Sequence, residues 1–296
     1  MDRITLAQNF KELFLGNQEA YGTAAGGAVR GKPPWLRHLS GEEPIGVYPW
    51  VDGNVRWGCV DFDVKADNHP AYDFETEQEA HEAADTLRRV LAKFGIEAWI
   101  ERTRSHGRHV WVFAREWVSA VDMRRALLVA CEIADVPTRE VNPKSEELAE
   151  GQLGNYVNLP YPGGVNATER LIMATNDWSD SWAIETFVTN ALGNRTDPSV
   201  IQGVSQLWRS PPTPEVVYVE YDGDAKLNPQ GRAVWEYGPE DGDRSRGMIY
   251  LARQCRESAL TPEQAMAVLH SAEWNKYAGR NDEEKRLTDI VERAYQ

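Results

Sequence analysis

Cysteine is scarce in this chain: Cys59, Cys131 and Cys255 are the only three in 296 residues, and no two form a Cys-x-x-Cys pair. That spacing excludes a structural zinc of the usual kind and leaves reduced, buried thiols as the expectation. Long apolar runs are missing as well. No stretch approaches the roughly 18 residues that cross a bilayer, and the opening MDRITLAQNF lacks the apolar core of a signal peptide, so a soluble, intracellular protein is expected. There is no Gly-x-x-x-x-Gly-Lys-Ser/Thr loop, which excludes a P-loop motor from the chain. Positive charge is also short: 32 Lys and Arg face 46 Asp and Glu, a net charge of −14. Such a balance argues against a broad phosphate-binding surface. Charge acts within about 10 Å at physiological salt, however, so a basic cleft can persist in an acidic exterior. The stretch with Arg102, Arg104, His106, Arg108 and His109 is one such local exception.

What is present is ordinary globular composition, 42% hydrophobic and 26% charged, in a chain long enough for one large domain and a smaller one. Leu6, Phe10, Leu13 and Phe14 fall at helical spacing and precede a Gly-rich loop with Arg30, Lys32, Trp35 and His38. Residues 45–64, IGVYPWVDGNVRWGCVDFDV, read as two strands joined at Asp52-Gly53-Asn54, a hairpin signal. An amphipathic helix follows over about 74–94. Strands at 96–102 and 108–114 form a second hairpin in which His109, Trp111 and Phe113 share a face. A helix near 119–134 and strands near 138–142, 154–159 and 170–175 complete an α+β domain of two layers over residues 1–192. Pro, Gly, Asn and Asp crowd residues 193–243, which read as a connector with short strand-like pieces such as Val216–Tyr221. Residues 244–296 read as a small helical domain; Thr261, Pro262 and Gln264 open one helix as N-cap, first-turn residue and capping-box partner.

Three segments carry the chemistry. In VDFDV, Asp61 and Asp63 are two apart on a strand, so both carboxylates project from one face and suit a hard cation such as Mg²⁺ or Mn²⁺. Alone, the pair is more often a solvated strand end. In ERTRSHGRHVWVF, a tight loop with Arg104, Ser105, Gly107, Arg108 and His109 offers cations and backbone N–H groups to a triphosphate, although a lone strand histidine is more often a satisfied core residue. In REVNPKSEELAEGQLGNYVNLPYPGG, Glu140 can supply a third carboxylate, and Lys144, Asn155 and Asn158 can contact phosphate or sugar. Taken alone, that segment reads as a strand and loop whose polar residues satisfy turns.

Together these segments resemble the archaeo-eukaryotic primase superfamily, especially the primase-polymerases of phages, plasmids and mobile-element conflict systems. VDFDV fits its Asp-x-Asp motif, Gly107-Arg108-His109 its small-x-His motif, and EVNPKS followed by GNYVNLPY the glutamate form of its third motif; the resemblance covers about residues 8–175. It implies an RRM-like sheet with helices, followed by a small helical bundle. It implies two metal ions, Mg²⁺ or Mn²⁺, on Asp61, Asp63 and Glu140, and contacts from His109, Ser105 and nearby arginines to the phosphates of an incoming nucleotide. Because Glu140 follows Arg139 and not an apolar residue, Asp135 and Glu132 stand as fallbacks for the third ligand. The implied activity is template-dependent synthesis, as DNA primase or polymerase, in a bacterial or phage-infected cytoplasm. Single-stranded DNA, a primer and nucleoside triphosphates are the implied partners, with a helicase supplied in trans or by a further C-terminal region. An inactive replication-initiation module and a metal-dependent nuclease are the alternatives.

Overall fold

In the computed structural model, which describes residues 1–24, 26–65, 72–149, 151–174, 180–209, 227–239 and 242–295, the elements follow the hydrophobic periods. Helix α1 (Arg3–Leu13) starts on an Asp2 cap and buries Leu6, Phe10 and Leu13. Strands β1 (Ala20–Thr23) and β2 (Ala28–Arg30), helix α2 (Trp35–Ser40) and strand β3 (Ile45–Val47) precede the long β4 (Asn54–Phe62). Helix α3 (Glu77–Lys93) opens with a Thr76/Glu79 capping box, which ties down two otherwise unpartnered N–H groups. Strands β5 (Ala98–Arg102) and β6 (Arg108–Ser119) form the expected hairpin. Helix α4 (Ala120–Ala134) ends at Asp135 in a left-handed cap. The short strands β7 (Val141–Asn142), β8 (Val157–Asn158) and β9 (Leu171–Ile172) and helices α5 (Ile184–Gly193) and α6 (Pro198–Ser205) complete a first unit, Met1–Arg209.

Its central sheet is antiparallel, ordered β7-β4-β6-β5-β9. Successive strand residues point to opposite faces. Val60, Phe62, Ala98, Ile100, Val110 and Val112 therefore pack under α3 and α4, while Trp57, Cys59, Trp99, Trp111 and Phe113 pack on the other side with α1 and α5. Trp111 is wholly buried there, met edge-on by Phe14 at 5.1 Å and by Trp57 at 5.3 Å. The α+β class is as expected. A four-stranded sheet, β2-β1-β3-β8, joins the aromatic side through Tyr21, Ile45, Val47 and Val157.

That second sheet corrects the hairpin expected over 45–64. The turn exists, with reciprocal Val51 and Asn54 backbone bonds of 2.9 Å and positive φ at Asp52 and Gly53. Yet β3 pairs with β1 and β8, whereas β4 pairs with β6 and β7. Both edges of each strand are occupied, so the two cannot pair with one another. The stretch expected to be a connector is also partly helical: α6 is capped by Asp197 and places Ile201 and Val204 in the core under α3 and α4. Val216–Tyr221 lies outside the described residues.

The second unit, Ser210–Gln296, contains α7 (Pro229–Tyr237), α8 (Arg244–Glu257), α9 (Pro262–Ser271) and α10 (Glu283–Tyr295). Met248, Leu251, Ala252, Cys255, Leu269, Leu287 and Val291 meet in its own core. Thr261 and Gln264 close the expected capping box. All three cysteines are free and buried. Among the described residues, no helix is long and apolar enough to cross a membrane.

His38 gives the first unit an acid-sensitive point. Its buried ring donates from Nε2 to the Pro160 carbonyl at 2.9 Å and accepts the Ile45 N–H on Nδ1 at 3.2 Å. Burial pushes its pKa down from 6.5 to about 4, outweighing the Pro160 bond, which raises it. Below pH 6.5 the unfolded chain therefore gains a proton that the native state refuses, and stability erodes by about 1.4 kcal/mol per pH unit until about pH 4. His38→Gln keeps a donor and an acceptor without the titration. Urea unfolding at pH 7.5 and pH 5 should show the advantage of wild type over His38→Gln shrinking by about 2 kcal/mol in acid. A constant difference would mean that His38 takes up its proton in the native state.

Candidate active site

Strand register assembles the site. Asp61 on β4 lies opposite His109 on β6, and His109 opposite Glu101 on β5, so carboxylate, imidazole and carboxylate form one row across three neighbouring strands. Period two sets this row on the aromatic face, beside Trp57, Trp99 and Trp111. Just ahead of β7, the Glu140 carbonyl accepts the Asp61 N–H at 2.9 Å, which brings the third acid beside the first. Asp63 follows two residues beyond Asp61, and its N–H donates to Asp73 at 3.1 Å. Asp61, Asp63, His109 and Glu140 line one cavity of about 150 Å³ with Thr103, Ser105, Asn142, Asn155, Asn158 and Arg170 among its other walls.

Each acid is balanced by a cation. Burial opposes a charge on His109, but Glu101 at 2.9 Å from Nδ1 and Asp61 at 3.3 Å from Nε2 outweigh it and push the imidazole up to about 10. Burial likewise opposes the Asp61 charge, and His109, Arg170 and Arg139 still hold its carboxyl below the usual range. Arg139 reaches Asp63 and Asp73, both at 3.3 Å, and Lys144 approaches Glu140 to 2.6 Å.

The β5–β6 turn supplies one rim. The Thr103 N–H bonds the Gly107 carbonyl at 3.1 Å, His106 takes a positive φ, and the Thr103 and Ser105 hydroxyls lie 3.3 Å apart. At Gly107 a Cβ would collide with the Phe62 carbonyl oxygen, because β4 and β6 are paired there. A residue without a side chain is therefore required two places before His109.

Not every expected residue reaches the cavity. Arg108 points the opposite way: its wholly buried side chain lies on the α3 face, pairs with Glu77 at 3.0 Å and donates to the His106 and Gly107 carbonyls. The same alternation that turns His109 inward turns Arg108 outward. Arg104 lines a neighbouring cavity of about 230 Å³ with Arg102, His106 and Arg170. Lys144 is engaged on Glu140, while Ser105, Asn155 and Asn158 do line the acid cavity. The fallbacks Glu132 and Asp135 are exposed at the end of α4 and line neither cavity.

Carboxylate and amide oxygens around a polar cavity are the donors that Mg²⁺ and Mn²⁺ prefer. Among the described residues, no group of three or more His, Cys, Asp and Glu is arranged to hold an ion as it stands. His109, Arg139 and Lys144 occupy the acids instead. The donor chemistry fits a hard divalent ion that takes the place of these cations.

A sequence profile described as the archaeo-eukaryotic primase domain of TOTE conflict systems matches residues 33–184, more than half of the 296-residue chain. The chain belongs to this primase family. The crystal structure of primase RepB′ is similar at 13% identity and a TM-score of 0.25, over 99% of this chain and 94% of that one. No curated protein matches the sequence.

Within this primase domain, the structure adds Glu101, Arg170, Thr103, Asn142 and Asp73 to the residues singled out from the sequence. Glu101 had a signal: in AWIER it follows Trp99 on the aromatic face, where an acid must find partners, and the hairpin register sets it opposite His109. Arg170 and Asp73 carry no local pattern and come to the site through tertiary pairing alone.

Proposed function

We propose that this domain is a template-dependent nucleotidyltransferase, acting as a DNA primase, a DNA polymerase or both. The 3′-hydroxyl of a primer or of an initiating nucleotide attacks the α-phosphate of a nucleoside triphosphate; the new O–P bond forms as the bond to pyrophosphate breaks. The observation carrying this reading is the convergence of Asp61, Asp63, Glu140 and His109 on one polar cavity beside the β5–β6 turn. Asp61, Asp63 and Glu140 are assigned to two ions, Mg²⁺ or Mn²⁺. When bound, such ions lower the pKa of the attacking hydroxyl and neutralise charge on the departing pyrophosphate. His109 and Ser105 are assigned to the phosphates, with Arg104 at the neighbouring rim, and Asn155 and Asn158 to phosphate or sugar. Catalysis on this reading is positioning and charge stabilisation. Its partners are single-stranded template, primer and nucleoside triphosphates, with any helicase activity supplied in trans or from a further C-terminal region.

Incubation with single-stranded DNA, labelled nucleotides and Mg²⁺ or Mn²⁺, with and without an annealed primer, tests the proposal. Template-dependent products are expected. Shortened DNA and no product would make the domain a nuclease, and DNA binding without nucleotide binding would make it a replication-initiation module.

A further inference from the structure

Glu101 is wholly buried, yet it is ringed by three donors, two on β6 and one just ahead of β9. Its carboxylate takes the Trp111 Nε1–H at 2.7 Å and His109 Nδ1–H at 2.9 Å, and Arg170 Nη1 lies 3.4 Å away. The three contacts differ in kind. Trp111 is locked in the aromatic core and fixes the carboxylate, whereas His109 and Arg170 extend from it into the cavity wall. Arg170 is 16% exposed and, with Thr103, forms the wall common to the acid cavity and the neighbouring one.

We propose that Glu101 is a positioning residue that holds His109 and Arg170 as a cradle for the polyphosphate of a nucleoside triphosphate, with Arg170 touching the phosphates. This rests on the nucleotidyltransferase reading for its choice of ligand. With Nδ1–H held by Glu101, the ring of His109 is oriented so that its Nε2 meets Asp61 at 3.3 Å on the cavity wall, where a phosphate oxygen would compete for it. A guanidinium anchored from behind presents its remaining N–H groups to phosphate oxygens in a fixed fork. Packing alone does not explain the arrangement, because apolar side chains of similar volume commonly replace a buried ion network at no loss of stability. The ligand is anionic because Arg170 also lines the neighbouring cavity with Arg102 and Arg104, three guanidiniums against the two carboxylates of Glu169 and Asp180, inside a chain of net charge −14.

The test uses the full chain and reads binding apart from synthesis. Calorimetry with inorganic tripolyphosphate in EDTA should give an affinity that falls at least about tenfold in Glu101→Gln and in Arg170→Ala. Adding Glu101→Gln to His109→Ala/Arg170→Ala should weaken binding no further, since Glu101 acts only through those side chains. For nucleotide incorporation, KM should rise more than kcat falls in Glu101→Gln, while single-stranded DNA affinity stays near wild type and the protein remains folded with a lowered melting temperature. Wild-type tripolyphosphate affinity in folded Glu101→Gln, or a further loss on adding it to the double variant, would overturn the proposal. Should Glu101→Gln fail to fold, Arg170→Ala still decides, because unchanged affinity there removes the cradle. A wild type that binds tripolyphosphate but makes no product sinks the polymerase reading alone; product formation with normal binding in Glu101→Gln sinks the cradle alone.

Discussion

Asp63→Asn is expected to lower template-dependent incorporation at least about a thousandfold while leaving the fold intact. The change removes one negative charge and almost no volume. Its pair with Arg139 joins side chains that are both about a third exposed, and exposed pairs contribute little to stability. Asp61→Asn should be as severe for activity but less neutral for the fold, because it leaves the buried His109 paired with Glu101 alone. Glu140→Gln should also be severe and Asp135→Asn mild, since Glu140 lines the cavity and Asp135 caps α4 in solvent. Incorporation assays with melts on each purified variant check this. Wild-type incorporation in Asp61→Asn or Asp63→Asn would remove both acids from the chemistry, and a severe Asp135→Asn beside a mild Glu140→Gln would move the third acid.

Local pattern carried much of this molecule. The β5–β6 hairpin was legible because Ala98/Ile100 and Trp99/Glu101 alternate toward a short polar turn and then alternate again through Val110/Val112 and His109/Trp111. Helix α3 was legible from Ala80, Ala84, Leu87 and Leu91 on one face, and α9 from its capping box. The side that each strand residue faces follows from the same period, so the separation of His109 from Arg108 was already implicit in RHVWVF. The second sheet was not legible. Its strands are three or four residues long or shorter, and neither β3 nor β8 is long enough to display a period. Nor was Arg170, whose place beside Glu101 depends on β9 pairing with β5 across about 70 residues of chain. The three acids were identified as a set through the family's motif order, whereas their proximity arises from the Glu140 carbonyl meeting the Asp61 N–H, a long-range pairing that no local spacing encodes.

A chain ending after Arg209 is expected to fold, to extend an annealed primer, and to start new chains at most about a tenth as well as the full protein. Among the described residues, both cores of the first unit draw on residues up to Trp208 and the third core on residues from Leu227 onward. The cut keeps α6, whose Ile201 and Val204 belong to the first unit. All candidate site residues lie at or before Arg170, so bond formation on an existing primer should survive. Initiation differs because it must hold two mononucleotides and a bare template without the binding energy of a primer duplex. The second unit is suited to that extra grip: α8 carries Arg244, Arg246, Arg253 and Arg256 against the single acid Glu257, and Tyr250 stands exposed on the same helix. Arginine beside an exposed aromatic ring is a combination that single-stranded nucleic acid favours. Full and shortened chains, compared on primed and unprimed templates at equal folded concentration, separate the two steps. Equal loss of extension and initiation in a folded shortened chain, or undiminished initiation, would show that the helical unit has no part in starting chains.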